Sequence, residues 1–467
     1  MSISEVLTQP VTEPVVDRWT GETLGRIVVE GAPEASRAVD AAEAALAVDF
    51  PVHRRSAVLA ATSAWVAAHA EELARSIQQE TGKPITAARL EVSRAVGTLL
   101  YASEEARRLP AEAVPMDATE AGAGTMALTV AEPRGIVAAI TPFNFSLNLV
   151  VHKIGPAIAA GCAVVFKPSD KAPLVARMLV EGFAASGLPS GRLNLVTGPA
   201  EPIVGAWLQD DRVAVITFTG SSAVGWKLKT ESPRKLHILE LGSNTAMYVH
   251  HDADLPRAVV DAVTAGFGNS GQACVSLQRL YVHADVLKEF TSRLVEAVAA
   301  VPAGDPTDEK TIVGPLVTSL AGKRVVRWID DAVAQGAQLL TGGREINGVV
   351  APTVITGVSP ASPLVCEEVF GPVITVIAVD GLGEAIAAVN TSDFGLNAAM
   401  HKEVQVLGIL GGSLGLDGTI AAYASGAVDP RPLIAAAVGL ADVPAVLSGQ
   451  FATSRGVGPK FLVDPSH

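Results

Sequence analysis

The chain of 467 residues is 49% hydrophobic and 18% charged, with a formal charge of −13 at neutral pH. This length exceeds what one hydrophobic core can serve and implies about two to four domains, while the apolar content excludes a disordered chain. The acidic balance disfavours nucleic acid or an anionic membrane as the main partner.

The first residues, MSISEVLTQPVTEPVVDRW, contain acidic side chains and no apolar core, so they do not read as a secretory signal. Residues 1–30 read as strands and turns, with Trp19-Thr20-Gly21 as a turn signal. Apolar and alanine spacing predicts helices over 32–48, 54–79 and 84–109, the last ending before Pro110. Over 115–132 the pattern alternates and predicts an extended two-stranded arm. From residue 135, short apolar strands at 135–140, 163–166, 193–196, 213–218 and 236–241 alternate with helices at 147–160, 174–185, 201–208 and from Ala223. That alternation predicts a parallel sheet covered on both faces, which binds ligands outside the carboxyl ends of its strands. A second α/β segment starts at residue 243, with helices at 255–267, 286–300 and 322–335 and strands at 279–282 and 373–378.

Cys162, Cys274 and Cys366 form no C-x-x-C pair and no zinc-spaced cluster, so no metal is expected and a reducing, cytoplasmic setting is. The late apolar run 433–447 is broken by Asp442 and Pro444 and is shorter than the roughly 20 residues a membrane helix needs.

Cys274 follows the Gly-rich break Gly268-Asn269-Ser270-Gly271-Gln272-Ala273. A thiol on such a turn can be aimed at a substrate if the site lowers its pKa or supplies a base; otherwise a lone cysteine in apolar surroundings is a small core residue. Gly220-Ser221-Ser222-Ala223-Val224-Gly225 closes a strand and opens a helix, so it is either a phosphate cradle or a plain helix cap. Trp226 stands where a P-loop has lysine, and the G-x-G-x-x-G fingerprint is missing. Lys167-Pro168-Ser169-Asp170 puts a cation and a carboxylate at a strand end, as a ribose site or as a surface ion pair. Glu240 also ends a strand, and Asn144 supplies an uncharged amide of the kind that holds an oxyanion.

Together these motifs make the chain resemble the aldehyde dehydrogenase superfamily over about residues 15–400. The matching stretches, in order, are Thr141-Pro142-Phe143-Asn144, Lys167-Pro168-Ser169-Asp170, Phe218 through Gly225, Glu240-Leu241-Gly242-Ser243-Asn244, Asn269 through Cys274 and Glu368-Val369-Phe370-Gly371-Pro372. The resemblance implies an α/β fold. A Rossmann-like parallel-sheet dinucleotide-binding domain (1–114 and 134–242) joins a second α/β catalytic domain (243–430), with a β-arm (115–133) for a homodimer or homotetramer and a divergent tail (431–467). It implies Cys274 as nucleophile, Glu240 as the base for the hydrolytic water and Asn144 with the Cys274 backbone N–H as oxyanion hole.

Around the cofactor it implies Thr141, Pro142, Phe143, Lys167, Asp170, Gly220, Ser221, Gly225, Leu241, Glu368 and Phe370. Asp170 near a ribose 2′-oxygen favours NAD, with NADP possible. Glu240 argues against transfer to coenzyme A. The runs Cys274-Val275-Ser276-Leu277-Gln278-Arg279 and Asn148-Leu149-Val150-Val151-His152-Lys153 resemble the branch that oxidises small polar aldehydes, lactaldehyde-like or bearing phosphonate or sulfonate. His152 and Arg108 (beside Arg107) are the candidate substrate contacts; each is equally readable as a helix-surface residue. After Asn397 the resemblance decays: the chain is Gly-rich at 408–416 and only echoes the family ending at 456–463. That leaves open a dinucleotide-binding protein of the same fold with little turnover.

Overall fold

The computed structural model describes residues 11–402, 404–405, 434–438 and 460–463. The described residues up to Asn397 form one compact unit and those from Ala398 a second. The first unit opens with an antiparallel hairpin, β1 (Thr12–Val16) and β2 (Thr23–Val28), followed by α1 (Ala32–Leu46), α2 (Val52–Ala68), α3 (Ala70–Thr81) and α4 (Ile85–Glu105). The helix predicted over 54–79 is therefore two. The chain breaks at His69 (φ −106°, ψ 21°), whose ring stacks on Trp65 with centroids 4.0 Å apart.

The stretch predicted as an extended arm pairs over only two residues a side, β3 (Ala113–Val114) against β4 (Ala127–Leu128), around two short 3-10 turns. Its Met126, Leu128 and Val130 are exposed.

The first large sheet follows from the alternation seen in the sequence. Its elements are β5 (Ile136–Ile140), α5 (Asn148–Ala159), β6 (Ala163–Lys167), α6 (Pro173–Ala185), β7 (Leu193–Leu195), α7 (Ala200–Gln209), β8 (Val213–Thr219), α8 (Ser222–Glu231) and β9 (Leu236–Glu240). The strands lie in the order β7-β6-β5-β8-β9, all parallel. Successive residues of β5 and β6 enter opposite cores, because side chains alternate along a strand. Val137, Ala139, Val164 and Phe166 pack among α2 to α6, and Ile136, Ala138, Ala163 and Val165 pack with α1 and α7.

The second sheet is built from β10 (Thr245–Val249), α9 (Leu255–Phe267), β11 (Leu277–His283), α10 (Leu287–Ala299), α11 (Ser319–Ala334), β12 (Gln338–Thr341), the hairpin β13 (Glu345–Ile346) and β14 (Val349–Val350), β15 (Thr353–Thr356), α12 (Pro363–Cys366), β16 (Val373–Val379) and α13 (Leu382–Val389). Within this unit the order is β12-β15-β16-β11-β10; β12 is antiparallel to its neighbour and the others are parallel. Residues 241–244 carry the chain from the carboxyl end of β9 straight into the amino end of β10. The carboxyl edge of the first sheet thus leads into the amino edge of the second, and the site is built along that junction.

In the second unit β17 (Ala398–Lys402) pairs antiparallel with β18 (Val404–Gln405), and β19 (Ile434–Val438) pairs parallel with β20 (Lys460–Val463). The departures expected at 408–416 and through most of the later tail lie outside the described residues. Among the described residues no helix is long and apolar enough to cross a membrane.

The close approach of α6 to α2 depends on Gly182, where a Cβ would fall 2.5 Å from the Trp65 ring. Gly182→Ala is expected to destabilise by about 1–3 kcal/mol through overpacking, read as a lower denaturation midpoint. An unchanged midpoint would mean that the indole is free to move aside.

Candidate active site

The turn before β11 is tightly constrained backbone. Asn269 (φ 52°, ψ 37°), Ser270 (φ 58°, ψ 27°) and Gly271 (φ 72°) are three consecutive left-handed residues. For a residue with a Cβ that conformation costs on the order of 1–3 kcal/mol, so the surroundings must over-determine it. They do. Ser270 Oγ accepts from the Gly314 N–H (2.9 Å), and Gln272 Oε1 accepts from the Val317 N–H (3.0 Å). At Gly271 a Cβ would lie 2.2 Å from the Gly371 carbonyl, so only glycine fits. The turn delivers Cys274, half-buried, to the amino end of β11.

Asn144 reaches the same turn from the carboxyl end of β5. It is buried, and one N–H of its amide donates to the Gln272 carbonyl (3.0 Å). An amide nitrogen carries two hydrogens, which leaves the second to serve a ligand. Asn269 Nδ2 closes the circuit by donating to the Asn144 carbonyl (3.2 Å) and the Gln272 carbonyl (3.1 Å). The loop bearing the expected oxyanion donor and the turn bearing the thiol are therefore tied together directly.

Two carboxylates act on Cys274. Burial, then Glu368 and then Glu240, push its thiol up to about 11, opposed by the N–H groups of Cys274 and Val275. Glu368 lies just ahead of β16, where Oε1 accepts from the Ser243 N–H (3.0 Å); burial raises its pKa, and Ser243 and Arg324 oppose the rise. Gly242 makes room for it: a Cβ there would lie 2.9 Å from Glu368 Oε2. Phe370 is held at φ 51° and meets Phe143 edge-on across the crevice, centroids 5.8 Å apart. Glu240 ends β9 and is exposed.

Apart from Glu368 and Phe370, which precede β16 of the second sheet, the expected dinucleotide contacts lie at or near one edge. Thr141, Lys167, Ser221 and Glu240 all follow or end strands of the first sheet at its carboxyl side. Ser221 opens α8 from extended backbone without a side-chain cap bond, so its hydroxyl and the first-turn N–H groups are open to an anion. Gly225 lets the helix approach Leu241, since a Cβ there would lie 2.3 Å from Leu241 Cδ2; at Gly220 it would meet Phe218 at 2.5 Å. Thr141 Oγ1 and Thr219 Oγ1 are buried without a hydrogen-bond partner at the ends of β5 and β8. An uncapped helix N-terminus beside orphaned hydroxyls fits a phosphate-bearing dinucleotide. Pro142 joins this edge to Phe143. Lys167 is buried, bonds the Pro168 carbonyl (3.0 Å) and pairs with the half-exposed Asp170.

The two substrate candidates separate. His152 is exposed on α5, with Nε2 3.4 Å from Thr98 Oγ1; desolvation of the ring, Arg94 and Lys153 hold its pKa down. Arg108 lies in the 3-10 turn after α4 and is spent on surface ion pairs with Glu104 and Glu105. Lys153 was overlooked by the sequence reading. It is buried, donates to Thr217 Oγ1 (3.2 Å) and faces Glu240; burial lowers its pKa to about 8 while Glu240 opposes the fall. The available signal was a lysine between Val151 and Ile154 on an otherwise apolar helix.

Comparison with known proteins agrees with this layout. A profile of the Aldehyde dehydrogenase family matches residues 7–403. The 3-sulfolactaldehyde dehydrogenase of Priestia aryabhattai is 38% identical over 387 residues, 83% of this chain and 81% of that protein. The structure of aldehyde dehydrogenase 21 from Physcomitrella patens, in complex with the reaction product succinate, superposes with a TM-score of 0.81 at 33% identity, covering 84% of this chain and 82% of that one. The glyceraldehyde-3-phosphate dehydrogenase GapN of Methanocaldococcus jannaschii, complexed with NADP, gives 0.80 at 31% identity and covers 90% and 89%. With the family profile spanning most of the chain and these structures sharing its fold, the protein belongs to the aldehyde dehydrogenase family.

Proposed function

We propose that the protein oxidises a small polar aldehyde to the carboxylic acid through a covalent Cys274 intermediate, with NAD as the preferred cofactor. The reading rests on one observation: the Asn144 loop and the Cys274 turn are bonded to each other through Gln272 and Asn269. In this reading the Cys274 thiolate adds to the aldehyde carbon and the carbonyl electron pair moves onto oxygen. The free N–H of the Asn144 amide and the Cys274 backbone N–H hold that oxyanion; one such donor is worth about 10²–10³ in rate. Bound NAD supplies the acceptor for the hydride that leaves as the oxyanion collapses. The thioester left on Cys274 is cleaved by a water whose proton passes to Glu240, and the C–S bond breaks to return the thiolate. Lys153, with a pKa near neutrality and facing Glu240, is suited to take the proton onward.

Ser221 and the α8 N-terminus would hold the pyrophosphate, Lys167 and Asp170 the adenosine ribose, and Glu368 the nicotinamide ribose. We read residues 1–114 and 134–242 as the dinucleotide-binding domain and 243–430 as the catalytic domain. The apolar arm at 115–133 suits a homodimer or homotetramer, since Met126, Leu128 and Val130 need cover. The sulfolactaldehyde relative and the succinate-bound neighbour support a short, hydroxylated or acidic substrate. Lactaldehyde and succinate semialdehyde should therefore outperform hexanal in kcat/KM; a preference for hexanal refutes this.

Glu240→Gln is expected to retain a burst of NADH stoichiometric with enzyme, and then to turn over about 10²-fold or more slowly than the parent. Full-speed turnover would remove Glu240 from the mechanism, and a parent enzyme without any burst would favour the binding-protein reading. Asp170 should repel a 2′-phosphate, giving kcat/KM for NAD at least about tenfold above NADP, with the ratio narrowing in Asp170→Ser. A wild-type preference for NADP contradicts this. Alkylation by iodoacetamide follows the thiolate, so its rate at Cys274, read by mass spectrometry of that peptide because Cys366 is also an exposed free thiol, should climb with pH toward about 11. Glu368→Gln removes an anion that disfavours the thiolate, so alkylation at pH 8 should quicken severalfold; no change would show that Glu368 does not act on the thiol.

A further inference from the structure

Behind the Asn144 loop lies a charge pair that the reaction described above does not use. Lys83 and Glu91 are 2% and 1% exposed and form an ion pair, one just ahead of α4 and the other inside it. Ions so buried are retained only where their remaining hydrogen-bonding capacity is satisfied. Glu91 Oε1 accepts from the Leu147 N–H (2.8 Å) and the Asn148 N–H (3.1 Å), which are the first free donors of α5. Lys83 Nζ donates to the Asn144 carbonyl (2.6 Å) and lies over the Phe145 ring, 4.2 Å from its centroid. The pair therefore holds residues 144–148 from both sides, and Asn144 is the first of them. The only other donor to the Asn144 carbonyl among the described residues is Asn269, from the nucleophile turn.

We propose that Lys83 and Glu91 are positioning residues for the oxyanion donor: the ammonium fixes the Asn144 peptide, so the Asn144 amide faces the reacting carbonyl oxygen without reorganising during the reaction. The inference rests on the reading of Asn144 as that donor. Oxyanion holes act through preorganisation, and a loop between a strand and a helix has no rigidity of its own; here an ammonium, a carboxylate and a helix N-terminus supply it. The contribution belongs to the transition state, since the ground-state carbonyl needs no such placement. Loss of the pair should therefore lower kcat and leave cofactor affinity alone.

Removing one partner would strand a buried charge, so both are replaced. In Lys83→Met with Glu91→Gln, the Gln oxygen still accepts from the α5 N–H groups and the methionine fills the volume. What is lost is the bond to the Asn144 carbonyl. With NAD and the fastest of lactaldehyde, succinate semialdehyde and hexanal, the burst rate is expected to fall at least about tenfold, with the Kd for NAD and the aldehyde KM within about twofold. Because the pair acts through Asn144, adding Asn144→Ala should leave the burst within about threefold of Asn144→Ala alone. Glu91→Asp, which keeps both charges and draws the carboxylate back by one methylene, should lose severalfold in kcat and serves if the double variant does not fold. A double variant at parental speed, a loss that multiplies in full onto Asn144→Ala, or a full-speed Glu91→Asp each overturns the inference while leaving Asn144 in its role. If Asn144→Ala itself bursts at the parental rate, the reading of Asn144 fails and this inference falls with it.

Discussion

Three amide hydrogen bonds hold the chemistry together. Asn144 bonds the Gln272 carbonyl, and Asn269 bonds both that carbonyl and the Asn144 carbonyl. The partners lie about 125 residues apart in the chain, one leaving the first sheet and the other approaching the second. Each bond is ordinary by itself, worth roughly 1 kcal/mol net. Their value lies in where they act, because an amide and a thiol on separate loops have no reason to stay in register unless something bridges them. The left-handed run at 269–271 is the cost of that bridge. The contacts of Ser270 and Gln272, and the absence of a Cβ at Gly271, make it sustainable.

The electrostatics of the crevice follow from the same junction. Carrying the chain from the end of β9 into the start of β10 brings Glu240 and Glu368 within electrostatic reach of Cys274, in a place where water is partly excluded. Two anions and burial all disfavour a thiolate at that position. Lys153 moves the opposite way, toward neutrality, because burial disfavours its cation. The two groups are thus displaced differently: the lysine is drawn toward physiological pH and the thiol away from it.

Much of this architecture was legible in the sequence for local reasons. Strands β5, β6 and β8 are short apolar runs bounded by turns, and α5, α6 and α7 carry helical spacing, so the alternation that dictates a parallel sheet stands in plain view. The motifs that end those strands carried Asn144, Lys167 and Glu240 to one edge by topology alone. Other features escaped because periodicity fixes an element without saying which neighbouring group a side chain takes as its partner. The break at His69, whose ring stacks on Trp65, falls inside a stretch of unbroken helical periodicity. Arg108 read equally as a substrate contact or as a helix-end residue, and it is committed to Glu104 and Glu105 in the last turn of α4.

The sequence by itself determined the family of elements, their order and the residues able to do chemistry, since periodicity, turn residues and strand-end motifs act over a few positions. Only the tertiary structure decided how those residues feel one another. Beyond the apolar neighbours of Lys153, neither it nor the Lys83–Glu91 pair carries a local mark of its electrostatic setting. Burial and opposing charge assign it, and both arise when α4 and α5 pack and the first sheet's carboxyl edge meets the second sheet's amino edge. A pKa or a hydrogen bond across more than a hundred residues is a property of that packing, which no short window of sequence contains.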